Sequence, residues 1–177
     1  AGLALCGTYP PGVGAEFYRD AAATANRHGI PVLLDAWRDI LPTLTAGVTW
    51  LKINREELSA LTGNADPVVG MRQLLARYPI RYLAVTAGGG AAYWSDGRDF
   101  YRLSWPRLEG IVNPIGAGDT CSAVTFAEYL RHGDPPAAFA AGLAAASASC
   151  LTETAADYQP DRAVALRQTI TIELITP

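Results

Sequence analysis

The fold of this chain depends most on one short stretch, Asn113-Pro114-Ile115-Gly116-Ala117-Gly118-Asp119-Thr120. The pair Asn113-Pro114 is typical of a loop, and the two glycines allow backbone conformations that a Cβ atom would obstruct. The residues from Ala117 to Leu130 then predict a helix, because apolar side chains recur at the helical period. Its apolar face is predicted to consist of Ala123, Phe126, Ala127 and Leu130. The stretch therefore joins a tight turn to the start of an amphipathic helix.

The start of this helix predicts a binding site for an anion, with phosphate as the obvious ligand. The first amides of a helix have no partner within it and lie at the positive end of its dipole. A carboxylate beside such amides can accept a hydroxyl proton while the amides stabilise a transferring phosphoryl group. We therefore predict that Asp119 is a catalytic base and that the amides of Gly116, Ala117 and Gly118 form an anion hole. The alternative is that Asp119 only caps the helix.

Composition limits the class of protein. The chain has 177 residues, of which 50% are hydrophobic, and this predicts a single domain over residues 1–177. A net charge of −3 gives no electrostatic reason to expect a nucleic acid or an acidic membrane surface as partner. We see no signal peptide and no apolar run of about 20 residues, so we predict a cytoplasmic protein without a membrane segment. The cysteines lack CxxC spacing and predict neither a disulfide framework nor a zinc site.

Strands alternate with helices along most of the chain. We predict strands at 3–6, 32–35, 49–53 and 81–85, with helices at 15–28, 55–61 and 67–78 between them. A hairpin at 91–103, helices at 134–151 and 161–168, and a half-buried edge strand at 169–175 complete the pattern. This order is typical of a mostly parallel sheet covered on both faces. We therefore predict an α/β fold, a three-layer α/β/α sandwich.

Polar residues stand where three of the predicted strands end. Asp35 ends one strand, and ligands gather at the carboxyl edge of parallel sheets, although Asp35 could instead cap the next helix. Asn54 and Glu57 have the spacing of a capping pair at the start of the next helix. A glycine-rich turn, Thr86 to Ala91, follows the fourth strand and by itself is explained by a plain hairpin.

Four motifs in this order resemble the ribokinase-like sugar kinases, and most closely the branch with fructose-1-phosphate kinase and tagatose-6-phosphate kinase. The matching residues are Gly7-Thr8-Tyr9-Pro10-Pro11-Gly12, Asn54-Arg55-Glu56-Glu57-Leu58, Val85-Thr86-Ala87-Gly88 and Gly116-Ala117-Gly118-Asp119. The resemblance covers essentially all of this chain but only the C-terminal part of the family's chain. The N-terminal part of the family's fold, with its β-strand lid and most sugar-binding residues, is not represented.

The resemblance implies an enzyme, a phosphotransferase that moves the γ-phosphoryl group of ATP to an alcohol group of a sugar or sugar phosphate. A hexose phosphate such as fructose 1-phosphate or tagatose 6-phosphate is the implied substrate, with Asp119 as base. Asn54 and Glu57 would hold Mg²⁺, and Asn54 would also lie near the nucleotide. The nucleotide-binding residues implied are Thr86, Ala87, Gly88, Gly89, Gly90, Ala91 and Gly118. Ile53 and Ala91 depart from the family pattern, which more often has proline and glycine there.

The resemblance also implies a homodimer for the complete protein. The alternative function is a nucleotide-binding fragment or remnant without sugar kinase activity. A dinucleotide-binding oxidoreductase is disfavoured because Cys121 replaces the third glycine of its fingerprint, and no Walker-type phosphate loop is present. We expect residues 1–177 alone to bind ATP weakly, to phosphorylate no sugar at a useful rate, and to self-associate through an exposed apolar sheet edge.

Overall fold

The secondary structure follows the predicted alternation in a computed structural model that describes residues 1–175. The strands are β1 (Leu3–Cys6), β2 (Val32–Asp35), β3 (Val48–Asn54), β4 (Ile80–Thr86), β5 (Ala92–Ser95), β6 (Phe100–Ser104) and β7 (Thr171–Leu174). The helices are α1 (Glu16–Arg27), α2 (Leu41–Ala46), α3 (Arg55–Thr62), α4 (Pro67–Arg77), α5 (Ala117–His132), α6 (Pro135–Ser149) and α7 (Pro160–Arg167).

The seven strands form one sheet, in which they are arranged in chain order. Strands β1 to β4 are parallel neighbours, and β5 then pairs antiparallel with β4. Helices lie between the parallel strands in the chain because a parallel pair needs a long crossover connection. The predicted α/β fold with a mostly parallel sheet is therefore confirmed.

The chain divides into two compact units. The first contains Ala1–Gly88, Ala92–Tyr101 and the described residues from Leu174 onward, and the second contains Gly89–Ala91 and Arg102–Glu173. That residues 1–177 form a single domain stays a prediction.

The first unit buries both faces of its central strands. On one face, Leu51 and Leu83 pack in a core with α-helical residues that include Leu58 and Met71. The opposite face carries aromatic rings, and the centroid of Tyr82 lies 5.1 Å from Trp50 and 5.9 Å from Trp94. Strands that are apolar on both faces are typical of parallel sheets. The carboxyl ends of these strands are thereby held in fixed positions.

In the second unit, α5 and α6 approach closely. A methyl group on Gly142 of α6 would overlap Thr125 Oγ1 and would lie 2.6 Å from the carbonyl oxygen of Cys121. The predicted apolar face of α5 is wrong in part: Phe126 is buried, but Ala123 is exposed and Leu130 is 40% exposed. The other buried residues of α5 are Thr120, Cys121, Ser122 and Thr125. The buried face of α5 is therefore determined by close packing against small residues of α6 and not by hydropathy.

The final strand also differs from its prediction. All residues of β7 are exposed, whereas a half-buried strand was expected. Its position at the end of the sheet order agrees with the predicted edge strand, so only the predicted burial of one face is wrong. Within residues 1–175, none of the helices combines the length and the hydropathy that crossing a membrane would require.

Candidate active site

The N-terminus of α5 has an open geometry. Gly116 is the N-cap residue, with φ 80° and ψ −1°, and it has no side chain to cap the helix. The first helical hydrogen bond is the Thr120 amide donating to the Gly116 carbonyl oxygen at 2.8 Å. The amides of Gly118 and Asp119 lie in the first turn, where an α-helix supplies no acceptor of its own. These two amides and the helix dipole therefore favour an anion at this position.

The predicted anion hole needs one modification. The amide of Ala117 donates to the Pro114 carbonyl oxygen at 3.3 Å, which is a long bond that closes the preceding turn. Gly118 and Asp119 are exposed, while Gly116 and Ala117 are half-buried. An anion at the start of α5 would thus meet the amides of Gly118 and Asp119 more directly than that of Ala117. The Asp119 carboxylate stands in the same turn, open to solvent.

The loop before α5 is braced by the segment that follows α6. Both the Val112 and Asn113 amides donate to the Cys150 carbonyl oxygen, at 2.8 and 3.1 Å. The Asn113 side chain donates to the Glu153 carbonyl oxygen at 2.9 Å and accepts from the Ile115 amide at 3.0 Å. The position of Gly116 is therefore set partly by residues about forty places later in the chain.

In the first unit, Asn54 and Glu57 form the predicted capping box at the start of α3. The Glu57 amide donates to Asn54 Oδ1, and the Asn54 amide donates to Glu57 Oε2, both at 2.8 Å. The structural role of this pair is confirmed. The role in binding a metal stays a prediction.

The donor set of the capping box fits Mg²⁺ in chemical type. The Asn54 amide oxygen and the Glu57 carboxylate are half-buried oxygen donors, and the Glu57 side chain has a second oxygen beyond the one used in the box. Magnesium in proteins is commonly held by one or two carboxylates together with water and phosphate oxygens. Within residues 1–175 no group of three or more His, Cys, Asp or Glu side chains could hold a metal. Water and phosphate would therefore have to complete the coordination.

The glycine-rich turn after β4 begins beside the capping box. Asn54 and Thr86 are register partners at the ends of the parallel strands β3 and β4. Thr86 and Ala87 are half-buried and Gly88 is exposed with φ 55°, all in the first unit. Gly89 and Gly90 are exposed and Ala91 is half-buried, and these three belong to the second unit. The predicted nucleotide contacts of the turn remain predictions.

Asp35 does not cap the helix that follows it. Its carboxylate pairs with the Lys52 ammonium at 3.2 Å, and the two side chains are only 15% and 9% exposed. Helix α2 begins at Leu41, with Ile40 at its N-cap. The capping alternative is therefore wrong, because the neighbouring strand β3 offers Asp35 a buried cation.

The whole-chain comparisons agree with this architecture. Residues 2–162 match the pfkB family of carbohydrate kinases. The chain belongs to that family. Phosphofructokinase-2 from Escherichia coli, in a structure with potassium, has a TM-score of 0.85 at 22% identity, over 94% of this chain and 56% of its own.

Ribokinase from Arabidopsis thaliana, in complex with ribose and ATP, has a TM-score of 0.75 at 21% identity, over 87% of this chain and 53% of its own. A carbohydrate kinase from Agrobacterium tumefaciens has a TM-score of 0.72 at 19% identity, over 92% of this chain and 54% of its own. At such identities the likeness establishes the fold, which is ribokinase-like. This pfkB family chain spans a little more than half the length of the proteins it matches.

Sequence reasoning missed two features of the site region. The sequence does contain an indication of the Asp35–Lys52 ion pair. Lys52 is the one lysine in the sequence and lies in an apolar strand, where a buried cation needs an anionic partner. The contact between the loop before α5 and the segment after α6 is not indicated by the sequence, because nothing in the spacing of Asn113 and Glu153 relates these residues.

Proposed function

We propose that this chain takes part in ATP-dependent phosphorylation of a hydroxyl group on a sugar or sugar phosphate. The proposal depends on the geometry at the start of α5. The amides of Gly118 and Asp119 have no acceptor within the helix there, and the Asp119 carboxylate beside them is exposed. Membership of the pfkB family supports the same class of reaction. The enzyme is then a phosphotransferase with an alcohol group as acceptor.

In the proposed reaction, the acceptor oxygen forms a bond to the γ-phosphorus of ATP while the bond to the β,γ-bridging oxygen breaks. The products are a sugar phosphate and ADP. Asp119 accepts the proton that the hydroxyl group loses. The amides of Gly118 and Asp119, supported by the turn through Gly116 and Ala117, stabilise negative charge on the γ-phosphoryl oxygens. A carboxylate is a sufficient base because such transfers pass through a loose transition state.

Asn54 and Glu57 are proposed to hold Mg²⁺ through water while they keep their capping bonds. When bound, Mg²⁺ offsets the negative charge of triphosphate oxygens. The turn from Thr86 to Ala91 is proposed to contact the nucleotide through its backbone groups, for which its glycines leave room.

The proposed acceptor is a hexose phosphate, such as fructose 1-phosphate or tagatose 6-phosphate. One of the matched structures is phosphofructokinase-2 from Escherichia coli with fructose 6-phosphate, which supports an acceptor that already carries a phosphate. We expect the complete protein to form a homodimer. A phosphofructokinase-2 structure described as a tetramer supports self-association in such proteins.

The test is an ADP-release assay over a panel of hexoses and hexose phosphates, run beside calorimetric titration of the same sample with Mg–ATP. Wild-type protein and the Asp119→Asn variant are compared. Sugar-dependent ADP release that is lost in the variant supports the proposal. Sugar-dependent release that survives unchanged in the variant contradicts the role of Asp119.

A nucleotide-binding fragment or remnant without sugar kinase activity is the second candidate for these 177 residues taken alone. The chain corresponds to 56% of phosphofructokinase-2 and 53% of ribokinase. Phosphoryl transfer requires an acceptor held in line and shielded from water, and misplacement can cost on the order of a hundredfold in rate. Binding of Mg–ATP without sugar-dependent ADP release in the assay above supports this candidate.

A further inference from the structure

We infer that Asn113 is a positioning residue for the proposed anion site, because its side chain ties the loop before α5 to the segment after α6. The inference rests on the proposed function, since it concerns how phosphate would be bound at the start of α5. Asn113 does not itself contact the proposed ligand. It acts through the backbone conformation at Gly116.

Both polar atoms of the Asn113 side chain form hydrogen bonds. Its Oδ1 accepts from the Ile115 amide at 3.0 Å, which fixes the turn immediately before Gly116. Its Nδ2 donates to the carbonyl oxygen of Glu153 at 2.9 Å, forty residues later. Its backbone amide donates to the Cys150 carbonyl oxygen at 3.1 Å, close to the end of α6. One residue therefore connects the turn to the end of α6 and to the segment that follows it.

The contact between Gly116 and Ala156 shows how closely the two segments fit. A Cβ atom on Gly116 would lie 3.0 Å from the Ala156 amide nitrogen and 3.2 Å from its Cβ atom. Ala156 itself has φ 58°, which is uncommon for a residue with a side chain. A strained conformation persists where the surroundings fix it, and such residues cluster at functional sites. The segment after α6 therefore lies in close contact with Gly116 and restricts its backbone conformation.

The fit matters because an anion hole stabilises charge only when its donors are aimed before the ligand arrives. A preorganised donor costs no reorganisation at the moment of reaction. If the loop were free to move, ordering it would subtract from the binding free energy of the phosphate groups. The expected effect of losing the Asn113 contacts is therefore specific to ligands that carry the terminal phosphates.

Asn26 provides a matched control. Its side chain also joins distant backbone groups, because Nδ2 donates to the carbonyl oxygens of Ala46 and Gly47 at 2.8 and 2.9 Å. These contacts lie in the first unit, whereas the loop before α5 belongs to the second. Asn26→Ala should therefore lower thermal stability without changing the preference for phosphate groups.

The experiment measures calorimetric dissociation constants of the 177-residue chain for Mg–AMP-PNP and for AMP, which lacks the terminal phosphates. The variants are Asn113→Ala, Asn113→Ser and Asn26→Ala. We expect Asn113→Ala to weaken AMP-PNP binding about tenfold through lost preorganisation, with AMP binding unchanged. Serine can still accept from the Ile115 amide but cannot reach Glu153, so its effect should be intermediate, and it serves if the alanine variant does not fold.

The outcomes separate the inference from the proposed function. If the wild-type chain binds AMP-PNP no more tightly than AMP, the proposed phosphate site is absent and both ideas fail. If the wild-type chain prefers AMP-PNP and both Asn113 variants keep that preference in full, only the inference is overturned. Equal loss of AMP and AMP-PNP affinity in the Asn113 variants indicates a purely structural role and also overturns it.

Discussion

Helices α3 and α5 begin in opposite ways. The start of α3 is closed, because Asn54 and Glu57 exchange two hydrogen bonds of 2.8 Å between side chains and backbone amides. The start of α5 is open, because the N-cap residue is Gly116, which has no side chain to offer. Both helices carry acidic residues in the first turn, Glu56 and Glu57 in α3 and Asp119 in α5.

The difference shows where the chain gains stability and where it can bind. A side chain that satisfies the first amides typically contributes about 1 kcal/mol to folding. A helix start without such a side chain lacks that stabilisation, but its first amides remain available to a negatively charged ligand. The closed start is therefore mainly structural, with a metal role proposed in addition, while the open start is the better candidate for chemistry.

The largest expected effect concerns the carboxylate at the open start. Asp119→Asn should lower sugar-dependent turnover by roughly a hundredfold or more, which is the usual contribution of a positioned general base. Nucleotide affinity should stay within a few-fold because the amides remain. Steady-state kinetics and calorimetry on the protein form that shows turnover measure the two quantities.

The control for this variant is Asp66→Asn. Asp66 caps α4 by accepting from the Val69 amide at 3.0 Å, and asparagine caps equally well. Its turnover should match the wild type. Full turnover by the Asp119 variant would reduce that residue to a feature of the helix start.

The next effect in size tests the conformation at Gly116. Gly116→Ala places a side chain at φ 80° and within 3.0 Å of the Ala156 amide nitrogen. Backbone strain alone should cost about 1–3 kcal/mol in the free energy of unfolding, measured by urea denaturation. AMP-PNP affinity should fall as well, because the loop must shift.

Gly133→Ala is the matched control at the other end of α5. Gly133 has φ 69°, and a Cβ atom there would have no neighbouring atom within 4 Å. This variant should lose stability without losing AMP-PNP affinity. Equal affinities for the two variants would show that the conformation at Gly116 has no bearing on phosphate binding.

A smaller effect is expected at the closed start. Asn54→Ala removes the acceptor of the Glu57 amide and should lower the free energy of unfolding by about 1 kcal/mol. Asp66→Ala removes the equivalent cap of α4 and should cost a similar amount. If Asn54 also holds magnesium, only the Asn54 variant should need more Mg²⁺ to reach its half-maximal rate. Identical magnesium titrations would leave Asn54 with its capping role alone.

The smallest effect separates the two roles of Glu57. Glu57→Gln keeps an oxygen that can accept from the Asn54 amide, so stability should change by no more than about 0.5 kcal/mol. The Mg²⁺ concentration at half-maximal rate should nevertheless rise, because a charged ligand has been lost. Glu56→Gln removes an exposed charge from the same turn and should leave the titration unchanged. An unchanged Mg²⁺ concentration at half-maximal rate in both variants would exclude a metal role for Glu57.

The local features of the chain were predictable because their causes are local. The capping box of α3 follows from the spacing of Asn54 and Glu57, three residues apart, which interact within one helical turn. The order of strands and helices and the turn at Gly116 likewise follow from periodicity and from glycine. The parallel sheet could be predicted because alternation of strands and helices leaves few topologies.

Features that join distant residues needed the tertiary structure. The sequence places Asp35 at the end of a strand, but only the pairing of β2 with β3 brings Lys52 within 3.2 Å of it. The buried face of α5 was predicted from hydropathy, and packing against α6 decided it differently around Thr125.

By itself, the sequence determined the α/β class, through the alternation of strands and helices along the chain. It also determined most helix starts and the family motifs, because these depend on residues within one turn or one strand. The tertiary structure alone decided that Asn113 meets Glu153 and that Gly116 rests on Ala156. Spacing in the sequence carries no information about such contacts, since they form only when α6 has folded back toward the loop before α5. The physical reason is that hydrogen bonds and van der Waals contacts act over a few ångströms in space, whatever the separation along the chain.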